Sequence, residues 1–173
     1  GKAQVSDARV AELTSQILQP LATFSEHSGA TTDPDLNPKY LRPKHFMHRL
    51  QKIMDEYAGG VSCQLATSAR QLEVGLEQLA LLREDARSLA ASDLNELMRC
   101  WENVHRLHQA EAHVRSVLFR EETRWPGYYF RADKPTLDQE NWLAFCNCRY
   151  DQAKNEWSMI KRPVKYITSG NGG

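Results

Sequence analysis

The sequence predicts a mainly α fold, a three- to four-helix bundle closed by a small C-terminal β-hairpin and irregular tail. Two observations predict the helices and a third predicts the hairpin. Apolar residues recur at three- and four-residue steps along four long segments, and clusters of Gly, Pro, Asn and Asp separate those segments. Beyond residue 131 the apolar period shortens towards alternation. The chain reads as one helical domain over 1–173, with helices at about 6–24, 43–58, 67–91 and 92–122. A knot of aromatics and arginines at 122–131 and a tail at 132–173 follow.

In the first helix Val10, Leu13, Ile17, Leu18 and Leu21 form the apolar stripe, and Ser6 or Asp7 is the cap. Pro20 lacks the amide that a helix interior needs, so it is expected to kink or stop the helix. Ser25 to Pro38, with Gly29, Asp33-Pro34 and Asn37-Pro38, is expected to be a loop. A loop of that length tends to carry function or to lie across a partner.

Pro43 suits the first turn of the second helix. Phe46, Met47, Leu50, Ile53, Met54 and Tyr57 line one side of it, and Gly59-Gly60 end it. The third helix is placed from near Thr67 or Ser68, with Leu72, Leu76, Leu79, Leu82, Ala86 and Leu89 on its stripe. Gly75 within it is unfavourable to a helix, which points to a close helix crossing there.

The fourth helix is the spine. Ser92 or Asp93 caps it, and Asp93-x-x-Glu96 has capping-box spacing. Leu94, Leu97, Met98, Trp101, Val104, His105 and Leu107, then Ala112, Val114, Val117, Leu118 and Phe119, mark one buried face. Pro126-Gly127 is expected to stop it. In the tail, Asp138–Trp142 reads as one helical turn. Trp142–Tyr150 and Glu156–Ile167 read as strands joined by a loop at Asp151–Asn155.

The 22 basic and 22 acidic residues balance, which argues against binding a phosphate backbone. No apolar run reaches the ~20 residues needed to cross a membrane, and no signal peptide stands at the start. Cys63, Cys100, Cys146 and Cys148 are scattered, and Cys146-x-Cys148 is too short for a zinc knuckle. Reduced thiols and a cytoplasmic location are expected. The pairs His45/His48 and His105/His108, with His113 beyond, lack zinc-site spacing, so no metal site is expected. No G-x-S-x-G, G-x-G-x-x-G or P-loop is present. The chain is therefore expected to hold no catalytic residue and no cofactor of its own.

The candidate site is the knot. Arg115, Arg120, Arg124 and Arg131, with Glu111, Glu121, Glu122 and Asp133, flank five aromatics. Arg124, Trp125, Tyr128, Tyr129 and Arg131 are the substrate- or interface-proximal candidates. Arginines beside aromatics can pair a carboxylate, sulfate or phosphate and stack on a planar group. The same set can form a salt-bridged corner that anchors the tail to the spine, or can face another subunit.

Several stretches carry a family resemblance: Asn37-Pro38-Lys39-Tyr40, Arg49 to Tyr57 with Gly59-Gly60, and Asp93-Leu94 with Glu96 to Arg99. Ala110 to Arg115 and Glu122-Thr123-Arg124-Trp125-Pro126-Gly127-Tyr128-Tyr129 complete the set. In this order they resemble the C-terminal portion of dissimilatory adenylylsulfate reductase alpha (flavoprotein) subunits. The wider fumarate reductase and succinate dehydrogenase flavoproteins carry a related Glu-Ser-Arg…Arg-x-Asp stretch, here Glu122-Thr123-Arg124…Arg131-Ala132-Asp133. Trp125-Pro126-Gly127 departs from the form of those dicarboxylate enzymes and favours the sulfur enzyme.

The resemblance implies an intact oxidoreductase that interconverts adenylylsulfate with AMP and sulfite. FAD would lie in the rest of the alpha subunit, and 4Fe–4S clusters in a ferredoxin-like beta subunit. This segment would be inactive by itself and would serve as scaffold and subunit-interface domain. Its partners would be the rest of the flavoprotein subunit and the iron–sulfur beta subunit, with a homodimer open to the isolated piece. The alternatives are an independent helical interaction module and the equivalent domain of a fumarate reductase or succinate dehydrogenase flavoprotein.

Overall fold

The computed structural model describes residues 5–125 and 130–165. It is mainly α with a small C-terminal hairpin, as the sequence predicts. The helices are α1 (Asp7–His27), α2 (Pro43–Tyr57), α3 (Ala69–Asp85), α4 (Leu94–Phe119) and the single turn α5 (Gln139–Trp142). The strands are β1 (Ala66–Thr67), β2 (Phe130–Arg131), β3 (Ala144–Asp151) and β4 (Glu156–Pro163). β1 and β2 form a parallel pair, and β3 and β4 an antiparallel hairpin. No described helix is long and apolar enough to cross a membrane.

The described residues divide into two compact units. The first combines the chain up to Gln51 with Leu79–His108. Its interior is built from Tyr40, Phe46, Leu50, Leu79, Leu82, Leu89, Leu97, Cys100 and Leu107. Ser6 caps α1 by accepting from the Arg9 amide. The helix runs through Pro20 to His27, past the expected stop and into the expected loop. Two outside donors reach carbonyls at and near the proline: the Ala91 amide donates to the Pro20 carbonyl at 2.9 Å, and Trp101 Nε1 donates to the Ile17 carbonyl at 3.0 Å. The α1 stripe is not buried within this unit: Val10, Leu13, Ile17 and Leu18 are 37–51% exposed.

The segment between α1 and α2 is pinned by side chains. Asn37 Nδ2 donates to the His27 carbonyl at 2.8 Å, and Tyr40 OH to the Pro34 carbonyl at 2.9 Å. At the start of α4, Asp93 Oδ1 accepts from the Glu96 amide at 2.9 Å. Glu96 answers on Ser92, one residue before the cap, and also pairs with Arg42 at 2.6 Å. Cys100 is buried, and desolvation, helped by Glu96 and opposed by Arg42, raises its thiol pKa to about 12. All four cysteines are free.

Three further helix limits differ from the sequence prediction. The third helix starts only at Ala69, because Thr67 is held in the β1–β2 pair. It ends at Asp85, followed by a 3₁₀ turn at Ala86–Ser88. Leu89 is drawn into a parallel bridge with Leu41, where the Leu41 amide donates to the Ser88 carbonyl and the Ala90 amide to the Leu41 carbonyl. That bridge needs extended backbone and outcompetes helical propensity. α4 ends at Phe119, before Pro126-Gly127, for a reason given below. On α4, Leu94, Met98 and His105 are exposed, whereas Leu97, Leu107, Val114 and Val117 are buried.

The second unit combines Lys52–Gln78 with the chain from Gln109 on. α2 ends at Tyr57, and Gly59 just beyond it has a φ of +81°, which favours glycine. Gly75 is the close crossing that the sequence points to: a Cβ there would lie 3.0 Å from Tyr57 Cβ. Alanine gains ~1 kcal/mol of helix propensity but crowds Tyr57. Gly75→Ala is thus expected to leave the melting temperature nearly unchanged, whereas Gly75→Leu should cost roughly 2 kcal/mol. Thermal melts followed by circular dichroism decide this, and a clear gain from alanine would refute the crossing.

Candidate functional site

The knot is built on the C-terminal end of α4. The last carbonyls of any helix lack intrahelical donors. Here Arg131 supplies them. Its Nη1 donates to the carbonyls of Val117 (2.8 Å), Leu118 (3.3 Å) and Arg120 (3.0 Å). Its Nε and Nη2 hold Asp133 in a two-pronged pair at 2.8 and 2.7 Å. Arg131 is 1% exposed, so this guanidinium is the stop that ends α4.

β1–β2 delivers Arg131 to that place. Ala66 pairs with Phe130 and Thr67 with Arg131, and the Ala132 amide donates to the Thr67 carbonyl at 2.7 Å. Thr123 Oγ1 accepts from the Arg131 amide at 2.9 Å and donates to the Lys134 carbonyl at 2.9 Å. Asp133 turns back to α3, where its Oδ2 accepts from the Ala69 amide, the first of the helix, at 3.1 Å. Hydrogen bonds from Arg131 dominate over burial and, with the Ala69 amide, lower the Asp133 carboxyl to about 2.

Glu122 is the second hub. Its carboxylate is fully buried yet takes Arg120 Nη1 at 2.6 Å, Arg124 Nε at 2.6 Å and the Asp138 amide at 2.9 Å. Burial alone would push this carboxyl up. The bonds from Arg124, Asp138 and Arg120 outweigh burial and hold it below the ordinary glutamate value. Both arginines also reach into the tail. Arg124 Nη2 donates to the Trp142 carbonyl, and Arg120 to the carbonyls of Trp142 and Ala144 and to Cys146 Sγ. Phe119 meets the Trp142 ring edge-on at 5.5 Å, and Lys161 Nζ lies 3.8 Å from the centre of that ring.

Of the sequence candidates, Arg124 and Arg131 each have their charge internally paired, with Glu122 and with Asp133, and Trp125 is 71% exposed. Tyr128 and Tyr129 lie outside the described residues. The sequence pointed to the arginines but not to Glu122 as the common acceptor of Arg120 and Arg124, nor to the backbone groups of Trp142, Ala144 and Asp138. Arg131-x-Asp133 was the available signal, since residues two apart on extended backbone share a side. Among the described residues no group of three or more His, Cys, Asp or Glu is placed to hold a metal.

A family model described as fumarate reductase flavoprotein C-term matches residues 47–169. The chain belongs to that family. Adenylylsulfate reductase subunit alpha of Megalodesulfovibrio gigas is 46% identical over 156 residues, which is 90% of this chain and 23% of that protein. The structure of adenylylsulfate reductase from Archaeoglobus fulgidus superposes with a TM-score of 0.92 at 47% identity, over 96% of this chain and 26% of that one. An E. coli quinol fumarate reductase gives 0.65 at 19% identity over 96% of this chain and 26% of its own, a likeness of fold alone. This flavoprotein C-terminal domain thus spans about a quarter of the relatives it matches. The resemblance to adenylylsulfate reductase alpha subunits, carried in the sequence by stretches from Asn37–Tyr40 to Glu122–Tyr129, holds over nearly the whole chain.

Proposed function

We propose that this chain is the C-terminal helical domain of an adenylylsulfate reductase alpha subunit, acting there as brace and assembly surface. One observation carries the reading. The charged groups best suited to a substrate, Arg124 and Arg131, are bound up with Glu122, Asp133 and backbone carbonyls. They fasten helix to tail and leave chemistry to other parts of the protein. In the intact subunit FAD sits in the remaining three quarters, where adenylylsulfate and AMP plus sulfite are interconverted. Electrons pass through a ferredoxin-like iron–sulfur subunit. The exposed stripe of Val10, Leu13, Ile17 and Leu18 suits burial against the rest of the flavoprotein. In the isolated chain a second copy covers it. Four free thiols fit a cytoplasmic enzyme.

The test pairs the isolated chain with the full-length subunit. Gel filtration after mixing the chain with FAD is expected to yield colourless protein, while the full-length subunit retains flavin. Stoichiometric yellow protein from the chain alone, or turnover of adenylylsulfate by it, defeats the reading. In the full-length enzyme Arg124→Ala is expected to weaken stability and activity together. Lost turnover with unaltered stability and assembly would instead assign Arg124 to substrate.

A further inference from the structure

No further inference is drawn: the strongest candidate, the cleft between α2 and α4 where Lys44, Arg99 and Arg106 stand around Asn103, is walled by exposed side chains with Arg106 already paired to Glu102, the unpartnered Asn103 Oδ1 is sealed from solvent, and nothing in the structure shows what would cover it.

Discussion

Arg131→Met is expected to cost about 3–5 kcal/mol of folding stability, the range for breaking a buried charge pair by removing one partner. The replacement fills similar space but donates nothing. The carbonyls of Val117, Leu118 and Arg120 lose the donor that ends α4, and Asp133 loses both prongs of its pair. Asp133 also accepts from Ala69 at the start of α3, so the damage should spread to that helix. Arg131→Lys should recover only part of the loss, since an ammonium cannot hold a carboxylate in two prongs and reach the carbonyls as well. Urea unfolding at neutral pH gives the stabilities. A double-mutant cycle with Asp133→Asn should yield a coupling of roughly 1–3 kcal/mol. If Arg131→Met unfolds at the wild-type urea concentration, the guanidinium is not the stop for α4.

The parts of this fold legible in the sequence are those set by short-range chemistry. Ser6 as a cap, α2 between Pro43 and Tyr57, the single turn capped by Asp138 and the hairpin closed by Asp151–Asn155 each depend on neighbours a few residues away. What escaped the sequence depends on distant partners. α1 runs on through Pro20, where Ala91 and Trp101 bring donors to its Pro20 and Ile17 carbonyls from about seventy and eighty residues on. β1 is two residues long, too short for any periodic signal, and its partner β2 lies more than sixty residues away. The α1 stripe was read correctly as apolar but not as exposed, because periodicity shows that a face wants cover and not what covers it. The knot shows the same division. Its arginines stand out by composition, while Glu122 looks like any acidic residue until the chain has folded around it.

Glu122 itself yields the second large effect, and one that pH can isolate. Glu122→Gln keeps the shape but removes the charge shared by Arg120 and Arg124, and is expected to cost about 3 kcal/mol at neutral pH. The folded-state carboxyl lies below its ordinary value, so as pH falls the unfolded chain takes up the proton first. Its contribution is therefore fully present above the unfolded value of about 4.3 and drains away below it. Asp133 behaves alike, over a window running from about 3.9 in the unfolded chain down to about 2 in the folded one. The wild-type chain should lose stability steeply on acidification below about pH 4. Glu122→Gln should lose less, keeping only the slope that belongs to Asp133 and other carboxylates. The gap between the two should narrow with acid, because protonating Glu122 leaves the wild type with a neutral side chain like that of the variant. Asp133→Asn should flatten the remaining slope towards pH 2. Parallel stability curves for wild type and Glu122→Gln from pH 6 to pH 3 would mean that Glu122 has the same proton affinity folded and unfolded. The arginines would then draw their stability from the backbone carbonyls of Trp142 and Ala144.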